Sequence, residues 1–408
     1  MHYTTQKIDG ISMIFVPVKD ATSTCIEVLV KAWSIYESKE ENGLSHFLEH
    51  MFFKWGQRYK TPLAVSEALD TLWASYNAFT GDEYAWYRVK CAPKFTSKAM
   101  DVLSDMLVNT QFPEDEMERE KGVVIQEIAM YEDNPSRLVM DKRKNRYYGD
   151  TNYGRSIIWT EENVQSFTRD MLLEHKRKLY TKDNLVIAVA WSIPDEIALS
   201  MMIKEYFGGL PDNADYELNQ FEWDHYPDVH EAFYDKWTQQ HHVLIGANGF
   251  TINEHERYAA KVAMTIFGWM MSSRLFQNIR EKQGLCYYIW AGHYAWTENG
   301  MFVMYAWMEK ERWEQWLQAI YDETAKVVDE GITAQEFDKA LNNIEWGIAL
   351  WLETSDQIAG YVSTEYLLKW SVDTLEERLK AYKSLSLDDV NWIMERLARE
   401  HLYAYWIQ

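Results

Sequence analysis

Short runs of β-branched and aromatic residues alternate along the chain with longer stretches whose apolar positions recur every three or four residues. The first pattern predicts strands and the second amphipathic helices, an α+β or α/β reading rather than an all-helical one. Predicted strands cover residues 11–18, 26–32 and 84–91, and predicted helices cover 43–53, 61–72, 98–109 and 113–133. The last opens on Pro113-Glu114-Asp115-Glu116, and proline followed by acids suits a helix N-terminus, where the backbone dipole favours negative charge. A second cycle follows, with helix 161–179, strand 185–191 and helix 194–207. Gly208-Gly209-Leu210-Pro211 and an acidic, poorly periodic stretch to about 230 then form the best linker. Beyond it come strand 242–246, helices 253–267 and 273–281, strands near 285–291 and 301–308, and helices to the C-terminus. The repeated order suggests an internal duplication, divided as 1–215 and 216–408.

Composition narrows the class. The chain has 408 residues, 47% apolar and 25% charged, as expected of a folded protein of two to four domains. No run of 18 uncharged apolar residues exists, so a membrane span is not expected. The start, Met1-His2-Tyr3-Thr4-Thr5-Gln6-Lys7, lacks a basic segment leading into an apolar one, so cytoplasm is the expected location. Cys25, Cys91 and Cys286 are scattered and do not form a disulfide scaffold or a CxxC site. A formal charge of −22 disfavours nucleic acid and anionic membranes as partners and favours cationic ones.

The chemistry-bearing segment is His46-Phe47-Leu48-Glu49-His50. On a helix, positions i, i+3 and i+4 share a face, so two imidazoles and a carboxylate converge within one turn. Two neutral imidazoles at that spacing take two positions of tetrahedral zinc, and the carboxylate is placed to polarise a water there. This order is the inverzincin motif. With 11 His and 63 acids in the chain, chance supplies roughly 0.05 such matches. The bland alternative is a solvated helix face with two hydrogen-bonded histidines. Zinc needs a third protein ligand, and in the acidic stretch 114–133 Glu120, Val124 and Glu127 fall on one stripe. Spacing alone does not choose between the two glutamates.

The wider text does. Residues 43–54 (Gly-Leu-Ser-His-Phe-Leu-Glu-His-Met-Phe-Phe-Lys), 77–80 (Asn-Ala-Phe-Thr) and 118–128 (Glu-Arg-Glu-Lys-Gly-Val-Val-Ile-Gln-Glu-Ile) closely resemble the pitrilysin/insulinase family of inverzincin metallopeptidases. The likeness is strongest to its bacterial members of this length and to the mitochondrial processing peptidase β subunit. It runs from about Ile11 to Tyr361. The resemblance implies an α+β fold of two homologous α/β sandwich domains, each a mainly antiparallel sheet packed with helices. It implies one Zn2+ per chain held by His46, His50 and Glu127, with Glu49 as the general base and Glu120 supporting the site without ligating the metal. Arg280 and Tyr287, in Arg280-Glu281-Lys282-Gln283-Gly284-Leu285-Cys286-Tyr287, match the family's substrate-contact arginine and tyrosine. Asn77, Ala78, Phe79 and Thr80 match the edge strand onto which a substrate peptide adds. The implied activity is endopeptidase hydrolysis of peptides or unfolded segments inside the chamber of a clamshell homodimer, with basic peptides preferred if the interior is acidic. The contrasting reading is a catalytically silent relative serving as a peptide-binding or assembly subunit. The intact motif residues speak against it.

Tryptophan is abnormal. It numbers 19 against 18 glycines, about 4% glycine where about 7% is ordinary. The family favours glycine at the positions of Trp33, Trp55, Trp73, Trp159, Trp191, Trp269, Trp307 and Trp346. One substitution type repeated this often is read as codon reassignment, with UGA meaning glycine in the source. The competing reading is an aromatic-rich lineage with extra core and interface anchors. An indole where glycine holds a positive φ costs about 1–3 kcal/mol, so the chain is expected to fold but to turn over slowly, with Trp55 and Trp269 placed to disturb the cleft.

Overall fold

A computed structural model of the chain describes residues 2–32, 34–156, 160–191, 195–213 and 230–407. In chain order the strands are β1 (Thr4–Ile8), β2 (Ile11–Pro17), β3 (Thr24–Val30), β4 (Ser75–Thr80), β5 (Ala85–Cys91), β6 (Leu185–Trp191), β7 (Glu231–Tyr234), β8 (His241–Asn248), β9 (Tyr288–Ala295), β10 (Gly300–Met308) and β11 (Tyr403–Ile407). The helices are α1 (Leu44–Phe52), α2 (Pro62–Thr71), α3 (Thr96–Val108), α4 (Glu114–Glu132), α5 (Pro135–Tyr148), α6 (Glu161–Ser166), α7 (Arg169–Leu179), α8 (Glu196–Phe207), α9 (Glu256–Met264), α10 (Trp313–Glu330), α11 (Ala334–Trp351), α12 (Ser355–Lys369), α13 (Leu375–Lys383) and α14 (Leu387–Met394). Among the described residues, no helix is long and apolar enough to cross a membrane.

The chain packs as two units, Met1–Met130 with Arg155–Gln220 and Trp351–Thr374, and Tyr131–Gly154 with Phe221–Leu350 and Leu375–Gln408. In the first, six strands are ordered β1-β2-β6-β3-β5-β4. The β2/β6 pair is parallel and every other pair is antiparallel. All seven residues of β3 are buried, because helices cover both faces of the sheet and leave no solvent side on which polar residues would alternate. The second sheet runs β7-β11-β8-β10-β9, with β7/β11 parallel and the rest antiparallel. Apart from β1, the two sheets have the same strand order and the same sense at every pairing. The duplication expected from element order is therefore present in the topology.

The plain division at 215/216 differs from this packing in two helices. Ala359, Tyr361, Val362 and Leu367 around α12 bury against Ile14, Cys25, Leu29, Val186 and Ala188, covering one face of the first sheet on β3 and β6. In the second unit α5 lies on the equivalent strands, β8 and β11. Each sheet is thus roofed by a helix from the other half of the chain, an exchange that element order along the chain does not reveal.

Other differences are local. The helix expected over 161–179 is two helices, because Phe167 is extended and the Thr168 hydroxyl caps α7 by accepting from the Met171 N–H. The helix expected over 253–267 continues from α9 into a π-helical turn over Thr265–Trp269, and that expected over 273–281 is largely π-helical, Phe276–Glu281. The C-terminus is a strand where helices were expected. Tyr403, Ala404, Tyr405 and Ile407 are buried in β11, and this aromatic run pairs on both sides within its sheet. The linker expected to 230 lies largely outside the described residues, as do Trp33 and Trp159. Of the remaining six tryptophans at family glycine positions, Trp73 alone has positive φ, +50°, and it is 94% exposed. Trp370, not among the eight, has φ +57° as the residue closing α12.

Candidate metal centre

The helix α1 starts at a backbone position that suits glycine, since Gly43 has φ +100°. Just upstream, the buried Glu37 carboxylate accepts from the N–H groups of Gly43 at 2.6 Å and Ser45 at 2.7 Å, meeting donors that the first turn leaves unpaired. Leu44, Phe47, Leu48, Met51 and Phe52, spaced i, i+3, i+4, i+7 and i+8, are buried in the core. That burial sets the rotation of α1 and leaves His46, Glu49 and His50 together on its remaining face.

The facing helix α4 is anchored by Met117, Glu120, Lys121 and Val124, and Glu127 is the next residue along the stripe of Met117, Glu120 and Val124. His46, His50 and Glu127 each bring one ligand atom to a cluster in which all lie within 4.8 Å of one another. Glu127 is 3.3 Å from His50 Nε2 and 4.0 Å from His46 Nε2. Ligands bonded to tetrahedral zinc at about 2.1 Å stand about 3.4 Å apart, so this donor set fits zinc with small inward shifts. On its other side, His50 Nδ1 is 2.8 Å from Glu120 Oε1, the carboxylate–histidine pairing that orients a metal ligand. Glu120 also pairs with Lys54 Nζ at 2.6 Å.

The electrostatics divide the two imidazoles. Burial and the neighbouring His50 push His46 down to about 4, which keeps it neutral. Burial acts the same way on His50, but hydrogen bonds to Glu120 and Glu127 outweigh it and raise that group to about 9. Burial raises Glu49 above the ordinary carboxylate value, opposed by the hydrogen bond from Thr80. For Glu120, burial is outweighed by His50 and Lys54, which hold its carboxyl low.

Thr80 Oγ1 donates to Glu49 Oε2 at 2.6 Å. Thr80 ends β4, which among the described residues pairs only with β5 and so forms an edge of its sheet. Asn77 and Phe79 are exposed along this strand, and Ala78 and Thr80 are half-buried. Thr80 thus touches the candidate base directly as well as belonging to the expected peptide-pairing edge.

Arg280 and Tyr287 lie together in the second unit. Arg280 Nε donates to the Tyr287 carbonyl at 2.7 Å, and its guanidinium lies over the Phe276 ring and pairs with Glu281. The Tyr287 ring stacks on Trp307 at 4.7 Å and is 68% exposed. In this unit α9, the first helix after β8, buries Ala259, Ala260, Val262 and Ala263. The first helix after β3, α1, instead carries the imidazoles.

Two separate regions match protein families. Residues 15–161 match the insulinase domain of peptidase family M16, and residues 166–344 match the peptidase M16 inactive domain. Between them these matches span most of the chain, which belongs to peptidase family M16, the pitrilysin/insulinase family. It is 32% identical over 400 residues to the uncharacterized zinc protease YmxG of Bacillus subtilis, covering 98% of this chain and 95% of that protein. It is 30% identical to an uncharacterized zinc protease of Streptomyces coelicolor, over 88% and 80% of the two chains. Two solved structures share its fold over 100% of this chain at 18% identity. One is a peptidase M16 inactive domain from Pseudomonas fluorescens, with TM-score 0.91 and 98% of that chain covered, and the other a protease from Helicobacter pylori, with TM-score 0.90 and 99% covered.

Three features escaped the sequence reading. Glu37 reaches α1 from outside any motif and left no signal. Thr80 stands in the sequence as an edge-strand residue, and nothing in the pattern marks its hydroxyl. Lys54 follows His50 by four residues, the spacing of one helix face, and that was its available signal.

Proposed function

We propose that this chain is a zinc-dependent endopeptidase that hydrolyses peptides or unfolded segments. The observation that carries the reading is the convergence of His46, His50 and Glu127 donor atoms within 4.8 Å, with Glu49 on the same face of the same helix. Zinc, when bound there by those three residues, supplies a Lewis acid that polarises the scissile carbonyl and acidifies a water. Glu49, held by Thr80, accepts a proton from the attacking water and passes it to the departing amine. Glu120 holds the proton of His50 Nδ1, which leaves Nε2 as the ligand atom. The free edge of β4 receives an extended peptide by main-chain pairing, which favours tolerance of many sequences. Arg280 and Tyr287 donate hydrogen bonds to substrate carbonyl groups. A cytoplasmic homodimer, with basic peptides preferred if its interior is acidic, completes the reading.

The test is zinc analysis of the purified chain together with its cleavage of a quenched-fluorescent peptide library, with and without chelator, for wild type and Glu49→Gln. Wild type is expected to cleave and Glu49→Gln to keep its zinc without cleaving. Equal rates for the two would remove Glu49 as the base, and a zinc-free, inactive wild type would favour a silent peptide-binding relative.

A further inference from the structure

Two glutamates on one stripe of α4 face the same imidazole, Glu120 on Nδ1 of His50 and Glu127 on Nε2. Both carry a carboxylate of the same reach, so something must keep one from taking the other's place. Lys54 supplies it. It lies just past the C-terminal end of α1, and its ammonium sits 2.6 Å from Glu120 Oε2 while Oε1 of the same carboxylate is 2.8 Å from His50. We propose that Lys54 is a positioning residue of the metal centre, pinning Glu120 through one oxygen so that this glutamate orients His50 and does not itself ligate the metal.

The inference rests on the metallopeptidase reading and adds to it a device for ligand choice. With Lys54 on one oxygen and His50 on the other, Glu120 cannot rotate toward the metal point without breaking a charge-assisted hydrogen bond at each end. Charge balance points the same way. Glu49, Glu120 and Glu127 bring three negative charges to one site, a divalent cation returns two, and Lys54 returns the third. Glu120 is 5% exposed, so water is a poor substitute partner if the ammonium is removed.

The test compares full-length wild type, Lys54→Met and Lys54→Arg for zinc dissociation constant, measured by competition with a chromophoric chelator, and for the visible spectrum after cobalt substitution. Lys54→Met is expected to weaken zinc binding about 10–100-fold and to change the cobalt spectrum as Glu120 enters the coordination sphere. Lys54→Arg, which keeps the cation, is expected to stay within about threefold of wild type with an unchanged spectrum. Circular dichroism establishes that Lys54→Met is folded, and should it not fold, Lys54→Gln takes its place. A neutral variant with wild-type zinc affinity and cobalt spectrum would overturn the inference while leaving the peptidase reading intact. Failure of wild type to bind either metal would overturn that reading and this inference with it.

Discussion

The hydroxyl of Thr80 donates to the carboxylate of Glu49 at 2.6 Å, tying the last residue of an edge strand to the middle of the helix that carries both imidazoles. Removing a hydrogen bond to a charged group costs about 1.5–3 kcal/mol. Thr80→Val is therefore expected to lower kcat about 10–100-fold at unchanged zinc content, whereas Thr80→Ser keeps most activity. Steady-state kinetics beside metal analysis decide it, and a Val variant with wild-type kcat would show that Glu49 needs no such support.

Arg280 and Tyr287 belong to the second unit and hold no ligand atom in the metal cluster. Arg280→Leu is expected to lower kcat/KM by about 100-fold, the scale of a lost donor to a reacting carbonyl, with zinc stoichiometry unaltered. Retention of full kcat/KM would confine Arg280 to its local contact with the Tyr287 carbonyl.

Glu27 is fully buried in β3 between the sheet and α12, where Ser363 Oγ donates to it at 2.9 Å and Cys25 lies beside it. Burial raises its carboxyl to about 7 from an ordinary 4.5, against hydrogen bonds from Ser363 and Trp86 and the charge of Arg88, with Asp356 adding to the rise. The folded state therefore binds this proton more tightly than the unfolded chain does. Its stabilisation is complete below about pH 4.5 and is lost as pH rises through about 7. Glu27→Gln is expected to match wild type near pH 4.5 and to exceed it at pH 8 by on the order of 3 kcal/mol. Urea midpoints at the two pH values test this, and parallel pH profiles for both proteins would contradict it.

Trp73 and Trp370 each follow a helix end in the left-handed region, with φ of +50° and +57°. Their N–H groups bond back to Asp70 and Tyr366, as glycine does when it closes a helix. A side chain there costs about 1–2 kcal/mol, part of which glycine's greater unfolded freedom offsets. Trp73→Gly and Trp370→Gly are each expected to raise stability by up to about 1 kcal/mol, seen as a higher Tm. The gene is expected to carry UGA at the eight family-glycine positions, Trp73 among them, and UGG at most of the eight would end the reassignment reading. Trp55, Trp191, Trp269, Trp307 and Trp346 do not have positive φ, so backbone strain is not the effect of an indole at those positions.

What the sequence determined by itself was mostly local. The i, i+3, i+4 spacing of His46, Glu49 and His50 settles their common face as soon as the segment is helical, and buried runs such as 185–191 become strands wherever they pack. The family text pointed to Glu127 and the order of elements to the duplication, and the strand order that the two sheets share apart from β1 agrees with the duplication. Tertiary structure decided what depends on approach through space between residues remote in sequence. It placed Lys54 on Glu120, Thr80 on Glu49, and α12 on a sheet whose strands lie more than 150 residues before it. Helical and strand periodicity report which face of an element is apolar and leave open which element covers it. The exchanged helices, the C-terminal strand and the cation beside the second glutamate become visible only when the chain has closed around them.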